Sequence, residues 1–470
     1  MYYRLREPWA FRGFKKLPYA LRREYGEKKH EKPLFIEKEV FIMLLDCDGQ
    51  TDIDLDKSSK KMKEIFEEFL EQGILEASSS PLPALQSWQR YIIYPSRYIR
   101  NVHWSITGKC NFRCRHCLVS APEAKHPLLP LEDCLHIIDE IASCGIRLVD
   151  ITGGEPLLRK DFDQIVKALS KYGIDIGVIF TNASLLNENI LQILRDNHQH
   201  PNFQLSFDGL GHHDWLRGVK GAEKDADRAF RLLQKEDFRT VAAMCIHKEN
   251  RDSLRETIRY LAGLGALSLR VNAPQSLGLW KQYEDKYALS KEETVEIYKE
   301  CITHYFEDGM PLELELDGYF QCKKGETDYT IPLARHFSKG PENYDFPYCE
   351  AVRYNAYIGP DGKLAPCMGF SDTVLKDRFP SVLKEHLGQL SLNGYYNDLV
   401  NTKLSDLLNK NEECRTCPHL NSCLGGCMLE GMDDEGDFLH PDPHSCFFHK
   451  HVGEEAIRKI ADEAIEKYCK

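Results

Sequence analysis

The sequence predicts an α/β protein: a partial (β/α)6 barrel in the middle, a small winged-helix-like domain before it, and a loop-rich, metal-stapled region after it. Three observations lead there. Between about residues 101 and 272, short β-branched runs alternate with helical stretches, the rhythm of a parallel sheet. Before residue 85 the chain offers only enough periodic sequence for a small unit. After about 320, Gly, Pro and Cys become dense and periodicity fades, and seven of the 17 cysteines fall within 349–446.

In the first unit, PLFIEKEVFIMLLDCDGQTDID reads as a strand, a helix and a turn at Asp48-Gly49. SSKKMKEIFEEFLEQGILEAS is a helix with Met62, Ile65, Phe66, Phe69 and Leu70 on one face. Gly73 stops it, and Ile74-Leu75 begin a wing strand. Residues 1–85 form this domain and 86–100 a linker, the Ser- and Pro-rich stretch SSSPLPALQSW (78–88) marking the boundary. The first 32 residues hold ten basic side chains against four glutamates, a basic arm that can attract an acidic peptide or simply be solvated.

The barrel spans 101–310. Its strands are read at 102–107, 147–152, 175–181, 203–208, 240–246 and 267–272. Helices are expected near 131–144, 160–172, 186–197, 222–236 and 250–263. An amphipathic stretch over 290–309 closes the barrel. In such a fold the chemistry belongs at the carboxyl ends of the strands. A bridge (311–348), the cysteine-rich region (349–450) and a terminal helix (451–470) complete the chain.

Bulk properties exclude several functions. The net charge of −12 argues against a nucleic-acid partner. No run of about 18 apolar residues exists to span a membrane. The start, MYYRLREPWAFRGFKK, lacks a secretory apolar core, so a cytoplasmic location is expected. Cytosolic thiols stay reduced, so clustered cysteines there mean metal or redox chemistry.

GKCNFRCRHCLVS sets Cys110, Cys114 and Cys117 just after the first strand. Three thiolates on one loop can hold three corners of a cubane and leave the fourth iron open. A zinc site that adds His116 is the alternative. The loop resembles the signature of the radical S-adenosylmethionine superfamily. Thr152-Gly153-Gly154-Glu155-Pro156, one βα unit later, resembles its GGEP motif, whose glycines let backbone approach a ligand closely. FTNAS (180–184), LSFDG (205–209) and HHDWLRGVKG (212–221) follow in the family's order. The resemblance implies that Glu155 accepts from the cofactor's ammonium group. Ser206 and Arg217 would meet its carboxylate, with Asn182 a further candidate. Asp208 reads first as a turn residue. The implied chemistry is reductive cleavage of S-adenosylmethionine, giving a 5′-deoxyadenosyl radical that abstracts hydrogen from substrate.

Cys349, Gly362 and Cys367, then Cys414, Cys417, Cys423, Cys427 and Cys446, resemble in order the SPASM domain of radical enzymes that act on peptides and proteins. That likeness implies two auxiliary [4Fe-4S] clusters, three in all. Cys349, Cys367 and Cys427 would hold one, with Cys322 the expected fourth ligand or else a position open to substrate. Cys414, Cys417, Cys423 and Cys446 would hold the other. The remaining cysteines read as small buried hydrophobes.

The first domain resembles the recognition element of ribosomal-peptide maturation enzymes, which implies leader binding by strand addition. Together these likenesses imply an enzyme that binds a precursor peptide and installs a crosslink, a thioether first. Its electron donor would be a flavodoxin or ferredoxin. The alternatives are a peptide epimerase, an anaerobic sulfatase-maturase-like oxidase and a zinc-stapled peptide-binding adaptor. The sulfatase type usually has Asp after the second SPASM cysteine, where this chain has Met368.

Overall fold

The computed structural model describes residues 1–118, 121, 128–276, 278–335 and 344–469. Its first domain is richer in strands than the sequence suggests. It contains β1 (Tyr2–Leu5), β2 (Trp9–Phe14), β3 (Leu17–Arg23), β4 (Leu34–Phe35), β5 (Asp48–Asp52), β6 (Leu75–Ser78) and β7 (Ile92–Tyr94). They form two sheets, ordered β5-β1-β6 and β4-β3-β2-β7. The helix Lys38–Leu45 and the helix Lys60–Glu71 cover them, the latter capped by Ser59 Oγ, which accepts from Met62 N–H at 3.2 Å. Phe11, Phe41, Leu44, Phe66 and Leu75 make the core.

Two expectations change here. The basic arm is β1–β3, and two of its charges are buried: Arg12 and Arg22 both reach Glu24 Oε1, at 2.9 and 3.3 Å. The arginines of these strands hide their apolar alternation. The expected linker is also built in. β7 pairs in parallel with β2, and the fully buried Gln89 side chain donates to the carbonyls of Leu5 and Trp9 at 3.0 Å.

The main sheet begins with β8 (Asn101–Ser105), β9 (Leu148–Thr152), β10 (Asp175–Thr181), β11 (Asn202–Ser206), β12 (Thr240–Cys245), β13 (Ser268–Asn272) and β14 (Glu313–Leu316). It continues with β15 (Phe320–Cys322), β16 (Tyr329–Thr330), β17 (Asn355–Ile358) and β18 (Leu364–Ala365). The order is β16-β15-β14-β13-β12-β11-β10-β9-β8-β17-β18, an open curved sheet with β8 to β14 and β17 all parallel. The expected α/β partial barrel is therefore present, with a seventh consecutive strand, β14, drawn from the segment read as a bridge. Residues 336–343 of that segment lie outside the described residues. β17 joins the cysteine-rich region directly to the barrel by pairing Val102 with Ala356 and Trp104 with Ile358.

Alternation explains the layers. Val102, Trp104, Val149, Ile151, Phe203 and Leu205 point to the helices and are fully buried. The opposite face, inside the curve, carries His103, Asp150, Gln204 and Ser206. The helix Lys291–Glu307 packs on the helix Leu254–Gly263 and on the terminal helix Glu454–Tyr468.

The first domain docks at the amino ends of the strands. Arg22 donates to Gly145 O at 2.7 Å, Arg147 pairs with Glu24, and His30 Nε2 lies 2.7 Å from Asp175 Oδ2. Among the described residues, no helix is long and apolar enough to cross a membrane.

Candidate active site

The loop after β8 is framed by backbone from three other strand ends. Gly154 N–H donates to Thr107 O and Glu155 N–H to Lys109 O, both at 2.8 Å. A Cβ on Gly153 would lie 2.3 Å from Thr107 O, and one on Gly154 2.2 Å from Lys109 O. The glycines of the GGEP motif thus admit the cysteine loop itself, where a ligand was expected. After β11, Arg113 N–H donates to Arg217 O (3.2 Å) and Arg115 N–H to Leu216 O (2.9 Å). Gly218, at φ +66°, leaves room for Arg113 O. After β13, Leu279 N–H donates to Cys117 O at 3.2 Å.

The Glu155 side chain is fully buried and already has three protein donors: Leu157 N–H at 3.0 Å, Thr181 Oγ1 at 2.8 Å and Asn182 N–H at 2.8 Å. Burial nevertheless pushes its pKa up to about 7. Its geometry ties the end of β9 to the end of β10, so it positions the site before it meets any ligand. Asn182 Nδ2 donates to Asn111 Oδ1 at 2.9 Å and lies 3.8 Å from Cys110 Sγ. Ser206 ends β11 on the inner face.

Arg217 is held by Asp208 in a two-pronged buried pair, Nε to Oδ2 at 2.6 Å and Nη2 to Oδ1 at 3.1 Å. Its remaining nitrogen, Nη1, points at Cys114 Sγ, 3.8 Å away. Asp208 also accepts from Cys245 N–H at 3.0 Å. Burial alone would raise its pKa, but Arg217 and His213 hold it far below the usual carboxylate range. The turn reading of Asp208 therefore gives way to an ion-pair role. A signal existed in the sequence: an Asp ending a strand, with an Arg nine residues on.

The zinc alternative for this loop is not assembled. His116 groups with Asp208 and Cys245, within 4.8 Å, rather than with the three cysteines. Asp208 is already committed to Arg217, and burial pushes the His116 pKa down to about 3.

In the carboxyl-terminal region, Cys349 precedes the helix Glu350–Tyr354 and lies near Cys367. Gly369 packs its Cα against Leu429, two residues past Cys427. Cys414, Cys417, Cys423 and Cys446 form a second neighbourhood. Leu424, Gly425 and Gly426 all have φ between 53° and 79°, which curls the chain between Cys423 and Cys427. Asp442 binds the two neighbourhoods together, accepting from Cys427 N–H at 2.9 Å and from His444 N–H at 2.7 Å. Sequence reasoning missed it, although Asp442-Pro443 is a helix-start pair.

Cys322, the expected fourth ligand, lies in the core. It is buried on β15, and its thiol donates to Glu326 O at 3.1 Å. Cys469 is a cysteine near it. Strand alternation turns it into the core.

These donor sets suit iron–sulfur clusters. Among the described residues, no three cysteine thiols lie within 4.8 Å of one another. A tetrahedral zinc with bonds of about 2.3 Å would hold its sulfurs about 3.8 Å apart. No set is thus closed to zinc spacing, and a four-iron cluster has the larger cage. Burial pushes the Cys110, Cys423 and Cys427 thiols up to about 12, so loading metal there releases protons.

Residues 104–261 match the family described as the Radical SAM superfamily. The chain is 24% identical over 374 residues to the AdoMet-dependent heme synthase of Methanosarcina barkeri (strain Fusaro / DSM 804), covering 74% of this chain and 96% of that protein. It is 25% identical over 367 residues to the PqqA peptide cyclase of Granulibacter bethesdensis (strain ATCC BAA-1260 / CGDNIH1), covering 76% and 90%. Its fold is similar to the crystal structure of Streptococcus suis SuiB bound to precursor peptide SuiA, with a TM-score of 0.63 at 16% identity over 94% of this chain and 99% of that one. The cysteine loop gripped by glycine-lined strand ends lies within the matched residues 104–261, so this chain carries a radical SAM domain.

Proposed function

We propose that this enzyme matures a ribosomally made precursor peptide, binding the leader on its first domain and crosslinking the core, a thioether first, at the carboxyl end of the barrel. The observation that carries the reading is the first domain. The likeness to the peptide-bound SuiB covers 94% of this chain and so must include part of it, whereas the match to the heme synthase leaves about a quarter of the chain out. An open groove lies beside the edge strand β4, lined by Trp9, Arg23, Lys32, Leu34 and Ile74. It offers a strand edge, an apolar floor and two cations to an acidic, extended leader. From that end to the cysteine loop is about five strand residues, or about 17 Å, so the core must run extended along the barrel.

Bound at Cys110, Cys114 and Cys117, a four-iron cluster with S-adenosylmethionine supplies one-electron cleavage and hydrogen abstraction. The chain's own residues set the conditions. Asn182 and Arg217 aim N–H groups at the Cys110 and Cys114 sulfurs and stabilise negative charge there. Asp208 fixes Arg217, and the buried frame keeps water out. Two further clusters at the SPASM-like cysteines would accept electrons, and a cytoplasmic flavodoxin or ferredoxin would donate them.

The test is co-expression with each short reading frame beside the gene, followed by mass spectrometry. A peptide lighter by two hydrogens per crosslink is expected. Unmodified peptides in every case, together with heme formation from a porphyrin precursor, would replace this reading with the heme-synthase one.

A further inference from the structure

A second group of titratable side chains stands at the carboxyl ends of β12, β13 and β14, across Asp208 from the cysteine loop. Asp317 follows β14 directly. Its backbone is left-handed, at φ +46°, uncommon for a residue other than glycine. Two bonds fix it there: its N–H donates to Val271 O at 3.0 Å, and its carboxylate accepts from Ala273 N–H.

Tyr298, on the helix Lys291–Glu307, is fully buried, and its hydroxyl has no hydrogen-bond partner among the described residues. Of the ionisable groups around that hydroxyl, Asp317 acts on it most strongly, ahead of Tyr319 and Cys245. A buried hydroxyl without a partner is costly, and a ligand group reaching it would complete its bonding. His444 Nε2 lies 4.0 Å from Asp317 Oδ2, and Glu430 faces it from the Cys427 segment. Arg270 is paired with Glu315 at 2.8 Å. Burial raises the Asp317 pKa above the ordinary range.

We propose that Asp317 is the proton acceptor of the crosslinking reaction, with the Tyr298 hydroxyl hydrogen-bonded to the reacting peptide residue. This rests on the peptide-maturase reading. In the step, the S–H bond of the core cysteine breaks and its electron pair stays on sulfur. The proton forms an O–H bond on the Asp317 carboxylate, and no electron is gained or lost. An ordinary Asp lies about 4.6 pH units below a thiol, so a raised Asp makes the transfer less uphill. The site faces the cysteine loop through Cys245 and Asp208, and the auxiliary cysteines through Glu430.

The experiment compares the full chain with D317N, Y298F and D317E. Asn tolerates a left-handed backbone and keeps an oxygen for Ala273 N–H, so D317N should fold. The first readout needs neither cofactor nor peptide, the probe being the proton. Infrared difference spectra over about pH 4 to 8 should show a carboxylic-acid band titrating above about pH 3.9 that D317N lacks. The second uses the iron-loaded chain, S-adenosylmethionine, dithionite and the peptide found by mass spectrometry. D317N should keep forming deoxyadenosine while crosslinked peptide falls by about 100-fold or more. D317E should restore part of the yield with a displaced pH profile, and Y298F should lower it about tenfold. An infrared band that persists in D317N, unchanged product, or joint loss of deoxyadenosine and product overturns the assignment. If the unsubstituted chain modifies no peptide, the maturase reading fails first and this one with it. If it modifies the peptide and D317N does so equally well, only this inference fails.

Discussion

Adding one methyl group at Gly154 tests whether the cysteine loop is a frame of fixed backbone. In G154A the new Cβ would sit 2.2 Å from Lys109 O, 2.5 Å from Lys109 C and 3.0 Å from Cys110 N. All three are backbone atoms, so no side chain can swing aside. An ordinary C···O contact is about 3.3 Å, so the loop must retreat by about 1 Å. Overpacking of this kind costs about 1–3 kcal/mol, and the strained bond from Glu155 N–H to Lys109 O adds about 1 kcal/mol. The sum is about 2–4 kcal/mol, and Cys110 moves by several times the roughly 0.2 Å that metal ligation tolerates. Gly173 is the control: at φ +65° a Cβ there meets nothing within 4 Å. G173A should cost about 1–2 kcal/mol for its left-handed backbone and leave the cysteines alone. The assay is iron and sulfide content after anaerobic reconstitution, with deoxyadenosine formation and a urea midpoint. G154A should lose about 4 iron atoms, those of the cluster on this loop, and all cofactor cleavage, while G173A keeps both. A G154A protein with full iron, full cleavage and the stability of G173A would refute the framing argument.

Three further outcomes follow from single contacts. D208N leaves the Arg217 charge buried without a partner, so urea unfolding should show a loss of about 3–5 kcal/mol, with cofactor cleavage abolished. C322S should bind as much iron as the unsubstituted chain, because that thiol already donates to core carbonyls; a fall in iron would mark it as a ligand. Acidification should loosen the first domain. Burial would raise Asp175, but His30 and Lys29 together hold it below the usual carboxylate value. A depressed carboxylate stabilises above its unfolded pKa of about 3.9 and loses that contribution as pH falls through the folded value. Hydrogen exchange over the segment around His30 should therefore accelerate below about pH 4, and D175N should show the faster exchange at neutral pH as well.

Long parallel strands were legible because each pairs Val, Ile, Leu or Phe at alternate positions with a Gly or polar turn; β10 begins and ends where DIGVIFT does. β14, β17 and β18 were not, because runs of two to four residues carry no readable period. β2 and β3 escaped because Arg12 and Arg22 stand where apolar residues mark a buried strand, and only the tertiary partner Glu24 makes their burial affordable. The cysteine loop and GGEP spacing announced the chemistry, yet not what the glycines touch, since that contact joins two strand ends about 45 residues apart. Asp317 and Tyr298 had no motif at all, because only the fold brings the end of β14 beside a helix that precedes it.

The Asp208–Arg217 pair shows how stability and function divide at this site. A buried ion pair is a poor stabiliser, and well-packed apolar residues of similar volume often do as well or better. Packing alone therefore does not explain its presence. What an apolar pair cannot provide is Nη1, fixed 3.8 Å from Cys114 Sγ once the other two guanidinium contacts are occupied by Asp208. Asn182 shows the same division on the other side of the loop: its oxygen is occupied by Ser184, and its nitrogen is turned toward Cys110. In both cases one part of the side chain is used for anchorage so that the other is a fixed dipole at a sulfur. That arrangement lowers the reorganisation the site needs when charge arrives, the condition under which electrostatic stabilisation is strongest.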